Sequence, residues 1–170
     1  MTLIKELPGM EMNIADRALI AENCSLIGEI EIEEGANIWY GAVLRGDTGK
    51  ITVKKNSAVE DNCVLHGNIL IEEDCIIGHS AVLHHCTLGK RVLIGMGATV
   101  LSGAVIGEGS VIAAGAVVTE GTVIPPHSMV MGIPGTIRRE TSDAWFAIMH
   151  RDALQYRELA EAQLPFYEQI

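Results

Sequence analysis

Between residues 14 and 130 a branched aliphatic residue returns at every sixth position. The series runs Ile14, Ile20, Leu26, Ile32, Ile38, Leu44, then Val53, Val59, Leu65, Ile71, Ile77, Leu83, then Leu88, Ile94, Val100, Ile106, Ile112, Val118, Ile124, Val130. A three-residue insertion separates Leu44 from Val53, and a one-residue shortening separates Leu83 from Leu88. All twenty positions are Ile, Val or Leu, where ordinary composition would give about a quarter. Four residues after each branched one the side chain is mostly small, as at Ala18, Cys24, Ala36, Cys63, Cys75, Ala81 and Ala98, with Ile30, Ile69 and Val92 as larger exceptions. Counted this way Thr87 takes the slot and Cys86 falls one residue before it. A strict period of six, with one branched and one small inward residue, describes short strands joined by tight corners. Hexapeptide repeats form β-helices whose coils bury their edges by stacking on their neighbours. Three hexads per coil give about six to seven coils, and an unrelated β-sandwich would not hold the period over nearly 120 residues. The spacing leaves the handedness open.

The pattern changes after Gly135. Residues 1–135 are assigned to the β-helix and 136–170 to an α-helical tail packed on it. Thr141 or Ser142 reads as an N-cap with Asp143 in the first turn, helix formers run to about Gln163, and Pro165 stops them. Trp145, Ile148, Met149, Tyr156 and Leu159 fall near one stripe, interrupted by Asp152, and this stripe is expected to pack along the prism wall or across subunits.

Composition sharpens this picture. Only seven residues are aromatic (Trp 2, Tyr 3, Phe 2), and five of them lie in the last thirty positions. An ordinary core would use more rings, which bury the most area per residue; a narrow coil has room for one aliphatic side chain per slot, and a ring would overfill it. The net charge is -10, and no cation pair extends into a run, so the chain lacks the clustered phosphate-neutralising charge that a nucleic-acid partner requires. No apolar run reaches the roughly 18 residues of a membrane span. The first residues carry acid and lack the apolar stretch of a signal peptide, so a cytoplasmic protein is expected. The four cysteines form no Cys-x-x-Cys and read as small buried apolar residues in a reducing compartment.

The histidines carry the candidate chemistry. His127 and His150 lie outside the cluster and are expected at the surface. His66 and His84 each follow a branched position by one and stand eighteen residues, one full coil, apart, so they should stack at about 5 Å, the inter-strand spacing. Arg45 stands twenty-one residues before His66; allowing for the insertion, it belongs to the same column. His79 follows Ile77 by two and precedes His84 by five, about 16 Å of extended chain, one side of the prism away. Either His79 is unrelated, or it completes a site in a neighbouring subunit across a threefold axis. Three imidazoles with an open fourth position describe a catalytic zinc site rather than a structural one. Asp47, in the turn after Arg45, is a partner for that guanidinium in an ion pair across subunits or at the site.

The segments Asn37–Asp47, Val59–His66, Ile77–His84 and Leu93–Ala98 resemble the γ-class carbonic anhydrase family over nearly the whole chain. The resemblance implies a left-handed β-helix in a homotrimer, with His66, His79 and His84 binding zinc, for which iron or cobalt can substitute, at subunit interfaces. It implies that Arg45 and Asp47 lie beside the site or stabilise the interface. The implied reaction is reversible hydration of carbon dioxide to bicarbonate by metal-bound hydroxide, with no further cofactor. Two departures bear on turnover. Thr48 stands where active members carry a glutamate, and only Gly67, Asn68 and Ile69 stand where they carry an acidic loop; both features are associated with proton transfer, so their loss points to slow or absent turnover. Glu60 replaces a glutamine often found near the metal's water. It is either a proton acceptor or an ordinary exposed side chain, and His85 is a weaker shuttle candidate. The competing readings are a hexapeptide-repeat acyl- or acetyltransferase using acyl-coenzyme A, and a non-catalytic metal-binding trimer.

Overall fold

A computed structural model of the chain describes residues 2–170. It is a parallel β-solenoid of about seven turns with one C-terminal helix. The period of six maps onto three walls. One column of inward residues is Ile14, Ile32, Val53, Ile71, Leu88, Ile106 and Ile124; each is the Cα partner of the next across a parallel ladder. A second is Leu26, Leu44, Leu65, Leu83, Val100 and Val118. The third is Ile20, Ile38, Val59, Ile77, Ile94, Ile112 and Val130. All twenty periodic positions therefore point into the prism, and all are buried. The first strands of the chain add to the stack before the periodic series begins: Leu3–Lys5 pairs with Ser25–Ile27.

The small slot belongs to the strand that follows it, two residues ahead of each branched position, because the corner sits between them. Counted back from Leu88, the slot is Cys86, which is 3% exposed, while Thr87 is only half-buried. The forward count, which put Cys86 outside the slot, is corrected by this.

The insertion after Leu44 leaves the inward columns intact. Strand Val43–Val53 runs beside Ser25–Ile32 and serves two walls at once. The ladder pairs Gly28 with Gly46 and then Ile30 with Ile51, so residues 47–50 are a bulge thrown outward from the prism. That bulge carries Asp47 and Thr48.

The tail is not helical from its start. Thr136–Glu140 is a strand, antiparallel to Ser128–Met131 on the third wall. Helix α1 spans Asp143–Gln163, with Ser142 as N-cap accepting from the Trp145 N–H. It lies against the third wall near Asn37–Ile38 and Ala58–Val59. Its buried residues are Met149, Ala153 and Ala160, whereas Leu159, counted on the stripe, is 47% exposed. Small residues at the contact let the helix axis approach the flat wall.

Candidate metal centre

The column read from spacing is present. Arg45 is the Cα partner of His66, and His66 of His84. The His66 and His84 rings meet edge to face with centroids 5.0 Å apart. Each follows an inward leucine, so the alternation of the strand turns both imidazoles outward. The bulge after Arg45 folds back on them: Asp47 Oδ1 lies 3.0 Å from His66 Nε2 and Thr48 Oγ1 lies 3.3 Å from the same nitrogen. Arg45 Nη1 donates to Asp47 Oδ2 at 2.7 Å, so this ion pair closes within one chain. Desolvation works to raise the Asp47 carboxyl, but the hydrogen bonds from Arg45 and His66 and the guanidinium charge outweigh it and hold it below the usual carboxylate range.

His84 is set differently. Its Nδ1 lies 2.8 Å from Ser102 Oγ on the next coil. Desolvation first, then repulsion from His85, His66 and Arg45, lowers its pKa against a weaker opposing pull from Glu120, which favours the neutral ring that a metal needs. His85 packs 4.6 Å from His84 and 6.1 Å from His66, and its Nδ1 accepts from the Asn68 N–H at 3.0 Å. Gly67 makes this possible: its φ is +86°, and a Cβ there would run into the His85 ring.

His79 does not join this group. Its Nε2 lies 3.0 Å from Glu60 Oε2 and its Nδ1 2.8 Å from Asp61 Oδ2, and its backbone N–H donates to Glu60 at 3.0 Å. Among the described residues of one chain, no three His, Cys, Asp or Glu side chains converge to hold a metal. Glu60 is not the exposed side chain of one reading; it is 2% exposed. Tyr156 of α1 shares a groove with it, and desolvation first, then this carboxylate, raises the Tyr156 phenol. The groove, of about 840 Å³, opens between α1 and the third wall, and Glu60 lines it together with Ile94, Val111, Trp145, Met149 and Gln155 among others. It does not include His66 or His84.

The two histidines expected at the surface are partly engaged. His150 Nδ1 lies 2.6 Å from Asp74 Oδ2, tying α1 to the solenoid. His127 packs edge-on against Phe146 with its Nδ1 shielded from solvent.

Ser102 and the hydroxyl contact of Thr48 were missed from sequence. Ser102 stands eighteen residues after His84, but the coil there is one residue short, so the count that stacked His66 on His84 puts Leu101, and not Ser102, in the column.

Residues 85–120 match the family described as Bacterial transferase hexapeptide (six repeats). A probable carbonic anhydrase of Methanocaldococcus jannaschii is 39% identical over 152 residues, which is 87% of this chain and 96% of that protein. The chain belongs to the γ-class carbonic anhydrase family. The mitochondrial gamma carbonic anhydrase 1 of Arabidopsis thaliana is 37% identical over 89% of this chain, and the match spans 61% of the plant protein's length. Among solved structures, a hexapeptide transferase family protein from Anaplasma phagocytophilum superposes with a TM-score of 0.92 at 35% identity, covering 95% of this chain and 98% of its own. No helix among the described residues is long and apolar enough to cross a membrane.

Proposed function

We propose that this chain forms a homotrimer that hydrates carbon dioxide reversibly to bicarbonate and a proton, at a metal held between subunits. The observation that carries this reading is the split histidine set: His66 and His84 stacked in one outward column, and His79 apart from them in the turn after Ile77, its ring against Glu60 and Asp61. Two stacked imidazoles with a third from another subunit make a nitrogen donor set that suits zinc, with iron or cobalt as alternatives. His66 and His84 of one chain and His79 of the partner subunit would hold it. When bound, the metal supplies a Lewis acid that makes water a nucleophile near neutral pH.

The chain's own residues have separate tasks. Asp47 and Thr48 hold the His66 ring. Arg45 presents a fixed positive charge beside the column and attracts the bicarbonate anion. Glu60 anchors His79 through both its ring and its backbone N–H and is a buried carboxylate able to receive the released proton. Membership in a family of carbonic anhydrases supports this reaction. The match of residues 85–120 to bacterial transferases favours acyl transfer as the second reading.

The test uses co-expressed variants. The wild type should hold about one zinc, iron or cobalt per chain. His79→Ala and His84→Ala should each lose it, and the two co-expressed together should regain part of it, because some interfaces then pair intact His66 and His84 with an intact His79. No recovery would place all ligands in one chain, and a folded metal-free wild type would overturn the reading. Stopped-flow carbon dioxide hydration beside acetyl-coenzyme A consumption separates the two reactions.

A further inference from the structure

The two stacked histidines are prepared differently. His66 has its Nε2 engaged by Asp47 and Thr48. His84 is held at Nδ1, by the Ser102 hydroxyl at 2.8 Å, and its Nε2 makes no hydrogen bond among the described residues. We propose that Ser102 is a positioning residue for His84: it accepts the Nδ1–H and aims the Nε2 lone pair out of the wall toward the metal. This rests on the reading of His84 as a ligand and adds a residue that the reading does not require.

Ser102 comes to this place through the shortened coil. The ladder pairs Val82 with Thr99 and Leu83 with Val100, so Leu101 follows in the position beside His84. Ser102 falls one residue beyond the column, in the corner, where its side chain reaches sideways to Nδ1 instead of stacking under the ring. The corner is braced. The Gly121 N–H donates to the Ser102 carbonyl at 2.8 Å, and the Gly103 N–H donates to the His85 carbonyl at 2.7 Å. The imidazole is also bounded by His66 at 5.0 Å and His85 at 4.6 Å, both edge-on. Packing on those sides and a hydroxyl on a braced corner leave the ring one orientation. Such outer partners fix the tautomer of a ligating histidine, and their removal typically costs 10–100-fold in metal affinity. Ser102 is half-buried and lies outside the inward columns, so losing its hydroxyl leaves the core untouched.

The experiment measures zinc affinity by chelator competition in the assembled protein, for wild type, Ser102→Ala, Ser102→Thr and His84→Ala. The metal-free thermal midpoint serves as the control for folding. Ser102→Ala should weaken zinc binding about 10–100-fold with an unchanged midpoint. Ser102→Thr, which keeps the hydroxyl, should stay near wild type. Nitrogen NMR of the zinc-loaded wild type should show His84 protonated at Nδ1 and ligated through Nε2. His84→Ala losing zinc while Ser102→Ala keeps it would overturn the role of Ser102 and leave the ligand reading standing. His84→Ala binding zinc like wild type would overturn both. An Nδ1-ligated His84 would overturn the positioning role outright.

Discussion

At the scale of single residues, the inward slots explain the cysteines. Cys24, Cys63, Cys75 and Cys86 are all buried, and three of their thiols donate to carbonyls of the coil, as Cys63 Sγ does to Gly78 O at 3.2 Å and Cys75 Sγ to Gly89 O at 3.1 Å. Burial raises all four from 9.0 to about 12. The folded state keeps these protons while the unfolded chain releases them above pH 9. Stability is therefore fully present below pH 9 and is lost as pH rises toward 12. A Cys63→Ala, Cys75→Ala double variant should lose stability less steeply than wild type in urea titrations run at successive pH values from 8 to 11. Parallel slopes would show that the thiols do not cause the decline. Ellman's reagent should leave all four unlabelled in folded protein at pH 8, because the thiolate is the reactive form.

At the scale of elements, α1 depends on fit against a flat wall. Ala153 and Ala160 are fully buried, and polar ties flank them: His150 to Asp74, and Arg157 Nη1 donating to Asn56 Oδ1 at 3.2 Å. Ala153→Leu should overpack this contact and cost about 1–3 kcal/mol, whereas Ala162→Leu, on the exposed face, should change the thermal midpoint little. Equal midpoints for the two variants would show that α1 rests loosely on the wall. The seat of the helix also marks where sequence reasoning stopped. The period of six was legible in full, because the branched position of every hexad is Ile, Val or Leu and the repeat is local. The Arg45–His66–His84 column followed from the same count. Glu60 was not legible as buried, since it lies in a groove shared with Tyr156, nearly a hundred residues later in the chain. Thr136–Glu140 was read as tail because antiparallel pairing with Ser128–Met131 breaks the repeat that made the rest readable. Cys86 was misplaced because a shortened coil looks different counted from either end.

At the scale of the whole molecule, a stack of coils has two open ends, and exposed strand edges invite pairing with other chains. The C-terminal end of the third wall is closed by Thr136–Glu140, whose exposed Arg138, Arg139 and Glu140 put charge on the outer edge. The N-terminal end is closed by the last residues of the chain. Pro165 O accepts from the Ile20 N–H at 3.1 Å, the Tyr167 N–H donates to Ala18 O at 2.8 Å, and Phe166 bridges to Leu19. Helix α1 thus returns the chain along the prism and lays its end on the strand Leu19–Ile20. Deleting residues 165–170 should uncover that edge, lower the thermal midpoint and produce concentration-dependent association in sedimentation. Because each coil of a solenoid touches only its neighbours, the damage should stay near the first coils. The coils carrying His66 and His84 lie further along the stack, so the zinc content of the fraction that remains assembled should match wild type. A truncated protein with an unchanged midpoint and no added association would mean that the terminal segment is not the cap this geometry makes it. Loss of zinc in the assembled fraction would mean that coupling along the prism reaches beyond adjacent coils.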